Sequence, residues 1–275
     1  MSGPLPVAVV TGAGRGIGRA IALRLAATHT VVAMGRDAQR LESLADECGA
    51  LPVVVDVADP GSVGDAWTVV TERVGDPDLL VNNAGVSEPA GPVWEQDVAQ
   101  WWRVFEVNVR GTFLTCRATL PAMVARGNGR IVNVSSNAAF FPASRDLGLF
   151  DVPAYMSSKA AVVRLTEVMA GETAGTGVSV FAISPGTVKT DMTASIPAFH
   201  EDWDSDDLWS PPELAAELVE HIASGERDAL SGRYLHAATT DWRTLGARAQ
   251  HVLEHDGLAV RLRPEGPEPT DSGDR

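Results

Sequence analysis

The chain has 275 residues, 45% of them hydrophobic, which is enough to build a substantial buried core. Its formal net charge of −14 repels a phosphate backbone, so we expect no nucleic-acid partner. The sequence has no apolar run long enough to cross a bilayer and no signal-type start, which predicts a cytoplasmic protein without a membrane partner. Cys48 and Cys116 lack the spacing of metal ligands or of a disulfide framework, so we expect no bound metal.

Short β-branched runs alternate with longer segments whose apolar residues recur at helical spacing, which is typical of parallel β-α units. The predicted strands are Val7–Val10, Thr30–Met34, Pro52–Val55, Leu79–Val81, Arg130–Val134, Val178–Ile183 and Arg233–Leu235. The predicted helices are Gly16–Ala27, Ala38–Glu47, Ser62–Val74, Gln100–Arg126, Tyr155–Ala174, Pro212–Ser224 and Asp241–His255. Right-handed crossovers then predict a doubly wound α/β (Rossmann) fold of about seven parallel strands, in the order 3-2-1-4-5-6-7, with helices on both faces.

No linker rich in proline, glycine or serine interrupts this series. We therefore predict one catalytic domain over residues 1–255. The proline and acidic residues that follow are typical of a flexible tail, which we place at residues 256–275.

A glycine-rich turn follows the first predicted strand and opens the first helix, where a dinucleotide-binding fingerprint is expected. It reads Thr11-Gly12-Ala13-Gly14-Arg15-Gly16-Ile17-Gly18. Gly12 allows the tight turn, Gly16 lets the backbone approach a pyrophosphate, and Gly18 removes a side chain where the helix packs on the sheet. The pattern predicts a nicotinamide dinucleotide cofactor.

The end of the second strand decides between NADP and NAD, because a carboxylate there binds the ribose 2′-hydroxyl and repels a 2′-phosphate. Gly35 takes the carboxylate's place, which leaves Arg36, together with Arg15 from the glycine turn, to pair with a 2′-phosphate. This favours NADP(H). Asp37 offers the alternatives: in a shifted register it would bind the ribose and select NAD(H), or it would cap the helix that begins at Ala38.

Tyr155 and Lys159 are four residues apart on a predicted helix, so both side chains point from one face. An unperturbed tyrosine titrates near pKa ~10, and an adjacent ammonium stabilises the phenolate and lowers that value. A YxxxK match alone is common on ordinary amphipathic helices, so the pair predicts a proton-transfer site only in combination with other motifs.

Those motifs are present, and over about residues 5 to 240 the chain resembles the single-domain short-chain dehydrogenase/reductase family. The matching motifs occur in the family's order: the TGxxxGxG turn, Asn82-Asn83-Ala84-Gly85, Val107-Asn108-Val109, Tyr155 with Lys159, and Pro185-Gly186. Five motifs in order are far more specific than any one of them.

The resemblance implies an oxidoreductase that moves hydride between NADP(H) and a ketone or secondary alcohol. Tyr155 would be the general acid or base, while Lys159 would lower its pKa and hold the nicotinamide ribose. Ser136 would bind the substrate oxygen, with Ser135 as the alternative. Asn108 would hold a water that connects Lys159 to solvent, and a bond to a helix backbone carbonyl would be compatible with that role.

The resemblance also implies a cofactor groove and an assembly. Asp56 would contact the adenine, with helix capping a nearly equal alternative, and Thr190 would bond the carboxamide or phosphate region. The other residues assigned to the groove are Gly12, Arg15, Gly16, Ile17, Gly18, Arg36, Val57, Asn83, Ala84, Gly85, Tyr155, Lys159, Pro185, Gly186 and Val188. Members of this form assemble as homodimers or homotetramers, which we expect here as well.

Tyr155 lies 19 residues after Ser136, more than the family usually has, so we expect an enlarged loop within Asn137–Pro153 over the active site. Apolar side chains after Pro185-Gly186 predict a pocket for a medium-sized, apolar ketone or secondary alcohol, unless they only anchor a lid: Met192, Ile196, Phe199, Trp203 and Trp209. The complete Ser, Tyr, Lys and Asn set disfavours a noncatalytic NADP-binding regulator. The lack of a sizeable C-terminal substrate domain disfavours a nucleotide-sugar epimerase.

Overall fold

Seven parallel strands form the central sheet, in the order β3-β2-β1-β4-β5-β6-β7. They are β1 (Val7–Thr11), β2 (Thr30–Gly35), β3 (Leu51–Val54), β4 (Leu79–Asn82), β5 (Gly129–Val134), β6 (Val178–Ser184) and β7 (Tyr234–His236). The computed structural model describes residues 4–140, 151–196, 204–205 and 208–259. Each strand lies within one residue of its predicted bounds, and the predicted fold and strand order are confirmed.

Helices cover both faces of the sheet. They are α1 (Gly16–Leu25), α2 (Ala38–Cys48), α3 (Pro60–Arg73), α4 (Val98–Phe105), α5 (Gly111–Arg126), α6 (Pro153–Glu172), α7 (Asp191–Ala194), α8 (Pro212–Ala223) and α9 (Leu245–Glu254). Side chains of β1 alternate between two cores: Ala8 and Val10 pack with α1 and α8, whereas Val7 and Val9 pack with α3 and α5. This burial on both faces explains why the strands are nearly continuous apolar runs.

The helix predicted at Gln100–Arg126 is divided in the structure. A π-helical turn, Glu106–Arg110, separates α4 from α5. The wider turn disrupts the regular backbone ladder, and the Thr112 hydroxyl donates to the Asn108 carbonyl at 2.8 Å. Hydrophobic periodicity does not reveal one inserted residue, so the sequence predicted a single regular helix.

Helix ends differ from prediction where a local cap or turn decides them. Helix α3 begins two residues early because Asp59 caps it, accepting from the Ser62 amide at 2.6 Å, and Pro60 occupies its first turn. Helix α9 begins four residues after Asp241 because the intervening turn buries Trp242, whose indole N–H donates to the Ala237 carbonyl at 2.8 Å. Helix α7 was not predicted.

Several sequence-based expectations lie outside the described residues. They concern most of the enlarged loop (141–150), the pocket residues Phe199 and Trp203 (within 197–203), and most of the tail (260–275). Within the described part of the chain, no helix is both long and apolar enough to cross a bilayer. The same residues contain no group of three or more His, Cys, Asp or Glu side chains suited to a metal ion.

Candidate functional site

A cleft of about 550 Å³ opens where the carboxyl ends of β1 to β6 meet. Most of the predicted groove residues line it: Gly12, Arg15, Gly16, Ile17, Arg36, Asp56, Val57, Asn83, Ala84, Gly85, Tyr155, Lys159, Pro185 and Thr190. The predicted site residues that are not part of its lining are Gly18, Asn108, Ser136, Gly186 and Val188.

The glycine turn is closely packed, which explains two of its glycines. Gly12 has φ +66°, and a Cβ there would lie 2.9 Å from the Ala84 Cα. A Cβ on Gly18 would lie 2.3 Å from the Gly12 carbonyl oxygen, so this glycine shapes the turn from outside the cleft. Asn83 braces the turn, because its side-chain amide donates to the carbonyls of Thr11 at 3.0 Å and Gly12 at 3.2 Å.

The start of α1 fits the pyrophosphate of a dinucleotide. Gly14, Arg15, Gly16 and Ile17 all line the cleft where this helix begins. Arg15 precedes the first helical residue and has no side-chain acceptor that could cap the first amides. Those N–H groups and the positive end of the helix are therefore available to bind an anion such as a pyrophosphate.

The end of β2 carries a group of arginines. Arg15, Arg36 and Arg40 all line this part of the cleft. Arg15 forms an ion pair with Asp191 at the start of α7, and the Arg40 Nη1 lies 3.7 Å from the same carboxylate. The sequence analysis missed Arg40, although its position four residues after Arg36, in the first turn of α2, indicates the same edge of the sheet.

Of the alternatives for Asp37, the structure contains the helix cap. Its carboxylate accepts from the Arg40 amide at 3.1 Å and lies 3.2 Å from the Arg40 Nε. Strand β2 ends at Gly35, two residues before Asp37. The carboxylate is therefore already bound within the first turn of α2.

Asp56 is held by an arginine that the sequence analysis did not identify. One carboxylate oxygen accepts from the Arg103 Nη2 at 2.8 Å and the other from the Ala58 amide at 3.0 Å. Burial, the largest single influence, raises the pKa of Asp56, but the hydrogen bonds from Arg103 and Ala58 and the charges of Arg103 and Arg36 together outweigh it, and the pKa lies below its usual value. The alternative role expected for Asp56 was to cap α3. The structure assigns that cap to Asp59.

Tyr155 and Lys159 both line the cleft, where the sequence analysis expects the nicotinamide. The Lys159 Nζ donates to the Val134 carbonyl at 2.8 Å and lies 5.6 Å from the centre of the Tyr155 ring. Burial lowers the pKa of Lys159 to about 8. Burial also raises the pKa of Tyr155, opposed by a side-chain hydrogen bond with Ser136.

These shifts differ from the expectation that Lys159 lowers the Tyr155 pKa. Among the described residues, the group that lowers it is the Ser136 hydroxyl, and loss of hydration outweighs that contribution. The Lys159 ammonium donates to the Val134 carbonyl. Burial thus favours the neutral form of both groups.

The two candidate serines have different surroundings. The buried Ser135 donates to the Lys159 carbonyl at 2.9 Å and so fixes α6 to the end of β5. Ser136 accepts from the Ala138 amide at 3.2 Å and interacts with the Tyr155 hydroxyl. The arrangement favours Ser136, the first choice from sequence, as the serine beside the phenol.

Asn108 joins the π-helical turn to the loop after β4. Its side-chain amide donates to the Val86 carbonyl at 3.0 Å and to the Ser158 hydroxyl at 2.9 Å, and its oxygen accepts from the Val86 amide at 2.9 Å. The alternative role expected for Asn108 was a bond to a helix carbonyl, whereas the observed backbone partner, Val86, belongs to a loop. That loop follows Gly85, where a Cβ would lie 3.4 Å from the Lys159 Nζ.

Residues after β6 have structural partners of their own. The Thr190 hydroxyl caps α7 by accepting from the Thr193 amide at 3.2 Å, and the Val188 carbonyl accepts from the Thr193 hydroxyl at 2.9 Å. Gly186 has φ +87°, and a Cβ there would meet the Ser210 side chain at 2.4 Å. Gly186 and Val188 therefore shape the segment that carries Thr190 into the cleft.

Beyond Ser136 the surroundings are partly polar, which the sequence analysis did not anticipate. The Tyr234 hydroxyl donates to the Asn137 side-chain oxygen at 2.6 Å, and the Asn137 nitrogen lies 2.6 Å from the His236 Nε2. The Phe140 ring packs edge-on against Tyr234. Met192, from the predicted apolar set, lines the cleft.

Comparison with known proteins places this geometry in a family. The family model described as short chain dehydrogenase matches residues 6–201. The curated short chain dehydrogenase mpl6 from Monascus purpureus is 37% identical over 265 residues, covering 92% of this chain and 87% of that protein.

Two solved structures show the same likeness. Gluconate 5-dehydrogenase from Burkholderia cenocepacia, in complex with NADP and tartrate, has a TM-score of 0.75 at 28% identity, covering 85% of this chain and 93% of that one. A variant of actinorhodin polyketide ketoreductase with NADPH has a TM-score of 0.75 at 30% identity, covering 84% and 95%. The chain therefore belongs to the short-chain dehydrogenase/reductase family and is an oxidoreductase that acts on CH–OH or C=O groups.

Proposed function

We propose that the protein is an NADP(H)-dependent enzyme that interconverts a medium-sized, mainly apolar ketone and its secondary alcohol, with Tyr155 as the proton-transfer group. The observation that carries this proposal is that Tyr155 and Lys159 line the same cleft as the glycine turn, while Ser136, outside the lining, hydrogen-bonds to the Tyr155 side chain. Met192, which lines the cleft, supports an apolar substrate.

Three features support NADP(H) over NAD(H). Arg15, Arg36 and Arg40 line the end of β2, where guanidinium groups suit a 2′-phosphate. Asp37, the carboxylate that would select NAD(H), is bound within the first turn of α2. NADP and NADPH are the nucleotides named for the two structural relatives.

The chain provides the groups that would hold such a cofactor. The amides at the start of α1 would bind the pyrophosphate, Ala84 and Gly85 would line the groove, and Lys159 would reach the nicotinamide ribose. Thr190 would contact the carboxamide or phosphate region. When bound, the nicotinamide supplies hydride in reduction and accepts it in oxidation.

The proton chemistry follows from the protein's own side chains. Burial raises the pKa of Tyr155, so at neutral pH the phenol holds its proton and can donate it to a carbonyl oxygen during reduction. Lys159, whose pKa is lowered to about 8, is mostly protonated at pH 7 and supplies a positive charge near the phenol. The Ser136 hydroxyl would donate to the same substrate oxygen and stabilise the charge that develops there.

We also propose that the enzyme is a homodimer or homotetramer. Large apolar side chains are exposed before and along α4 and on α5, with exposed fractions of 76% for Trp94, 71% for Val98, 57% for Trp102 and 49% for Phe113. Covering such side chains with a second copy would remove their apolar area from water. Sedimentation equilibrium of the whole chain tests the assembly.

Oxidation of NADPH and NADH over a panel of ketones tests the function. Tyr155→Phe should reduce turnover by at least about 100-fold, the usual contribution of a general acid, while the Kd for NADPH changes little. Tyr234→Phe, the same change at the chain's other tyrosine, should keep most of the turnover. Undiminished turnover in Tyr155→Phe would overturn the proposal, and a clear preference for small dicarboxylates would overturn its apolar substrate.

A further inference from the structure

The first turn of α6, which carries Tyr155, has no cap from its own sequence. Val152 stands at the N-cap and has no side-chain acceptor, and Pro153 occupies the first turn. The amides of Ala154 and Tyr155 lie too early in the helix to bond a carbonyl one turn before them. Both need an acceptor from elsewhere, because unpaired backbone N–H groups are costly to bury.

Glu88 provides that acceptor from a distant loop. Its Oε2 accepts from the Tyr155 amide at 3.0 Å, and its Oε1 accepts from the Ala154 amide and lies 3.3 Å from the Tyr155 amide. Glu88 is buried, with 4% of the residue exposed. A second hydrogen bond joins the same loop to the residues before α6: the Gly91 amide donates to the Asp151 carbonyl at 2.6 Å.

The surroundings of Glu88 explain why a carboxylate can be buried here. The ion pairs among the described residues do not include Glu88. Its charge is instead stabilised by two amides and by the positive end of the 20-residue helix α6. Such a position favours a carboxylate over a neutral apolar side chain, which would leave both amides unpaired.

Glu88 also connects the two halves of the proposed site. Its loop begins with Asn83, Ala84 and Gly85, which line the cleft, and continues through Val86, which Asn108 holds by two hydrogen bonds. One loop thus forms the groove wall and fixes the main chain of Tyr155.

We propose that Glu88 is a positioning residue: by binding the Ala154 and Tyr155 amides, it sets the position of the Tyr155 hydroxyl relative to the cofactor groove. The proposal rests on the proposed function of Tyr155. A displacement of about 1 Å at a reacting group can cost on the order of 100-fold in rate, so loss of this cap should reduce kcat.

Three substitutions at Glu88 distinguish the length of the side chain from the negative charge of its carboxylate. Because Oε1 alone lies within reach of both amides, the single oxygen of Glu88→Gln should keep the cap and keep kcat within about 5-fold of the unmodified enzyme. Glu88→Asp keeps the charge but is one methylene shorter, and Glu88→Ala has no acceptor. Both should lower kcat by about 10-fold to 100-fold, with KM and the Kd for NADPH within about 3-fold.

The measurements combine steady-state kinetics on the best ketone of the panel, NADPH titration and amide hydrogen exchange. Glu88→Asp and Glu88→Ala should exchange faster at the Ala154 and Tyr155 amides, whereas Glu88→Gln should not. Glu95→Ala, an exposed glutamate of the following turn, is the matched control and should change neither kcat nor exchange.

Each contrary result has a distinct meaning. If Glu88→Ala has lower thermal stability but an unchanged kcat, the cap is merely structural and the proposal is overturned. A higher kcat in Glu88→Asp than in Glu88→Gln would also overturn it. If Glu88→Ala does not fold, the comparison of Glu88→Gln with Glu88→Asp decides. If Tyr155→Phe retains turnover, both the proposed function and the positioning role of Glu88 are overturned. If Tyr155→Phe loses turnover but the Glu88 variants keep it, only the positioning role is overturned.

Discussion

Burial shifts the pKa values of Tyr155 and Lys159 in opposite directions. It lowers the pKa of Lys159 to about 8 and raises that of Tyr155 above its usual value. Both shifts have one physical cause, because each environment penalises the charged form. The lysine therefore loses its proton at a lower pH than the tyrosine, and the phenol keeps its proton throughout the neutral range. The proposed reduction of a carbonyl requires a tyrosine in this protonated form.

The arginines at the end of β2 give a prediction about the cofactor. Arg40→Ala and Arg36→Ala should each raise the Kd for NADPH by about 10-fold, since a charged hydrogen bond to phosphate contributes about 1.5–3 kcal/mol. The Kd for NADH should change by less than about 3-fold, because NADH has no 2′-phosphate. Fluorescence titration of each nucleotide measures this. The control is Arg117→Ala, an exposed arginine on α5.

Equal weakening of NADPH and NADH in the Arg40 and Arg36 variants would contradict the proposed NADP selectivity. It would instead indicate that these arginines bind the pyrophosphate or shape the glycine turn. Arg40 does lie against that turn, since a Cβ built on Gly14 would be 3.1 Å from the Arg40 Cβ.

At the scale of the element, the sequence predicted helices well where the local signals agree. For α2, the apolar periodicity and the Asp37 cap lead to the observed start at Ala38. For α6 the cap comes from Glu88, 66 positions before Ala154, and the predicted start at Tyr155 was two residues late. The π-helical turn was missed because one inserted residue leaves no clear mark on the apolar periodicity, and Glu106–Arg110 contains no proline or glycine to signal it.

The cap of α3 gives a prediction at this scale. Asp59→Ala removes the acceptor for the Ser62 amide, so the free energy of unfolding should fall by about 1 kcal/mol. Urea denaturation at pH 7 measures the loss. Asp65→Ala, at an exposed position later in α3, should change stability by less than about 0.5 kcal/mol. Equal losses in the two variants would show that the cap contributes nothing specific.

At the scale of the whole molecule, the fold was predictable and the pairing of distant side chains was not. Apolar runs, glycine punctuation and the rule of right-handed crossovers were enough for a doubly wound parallel sheet, and the Rossmann pattern supplied its strand order. The candidate site was predictable where residues belong to local motifs, as Tyr155 and Lys159 do. Arg15 and Asp191, 176 positions apart, meet only because α1 and α7 begin at the same edge of the sheet. No local pattern contains such a pair.

The burial of Lys159 should influence the stability of the whole chain. Its pKa is about 8 in the folded protein and 10.5 ordinarily, so between these values the unfolded chain binds more protons. Below pH 8 both states carry the charge, and the folded state bears the full cost of burying it. As the pH rises from 8 to 10.5 that cost is removed, and the contribution of Lys159 to the free energy of unfolding should increase by about 3 kcal/mol.

Comparison with Lys159→Met isolates this contribution, because every other titratable group is common to the two chains. Urea denaturation of each chain at several pH values from 7 to 10.5 provides the measurement. Any stability advantage of Lys159→Met should be largest near neutral pH and shrink as the wild-type lysine loses its proton. A difference that stays constant over this range would mean that Lys159 keeps its ordinary pKa in the folded protein. The burial of its ammonium beside Tyr155 would then exert no net electrostatic effect.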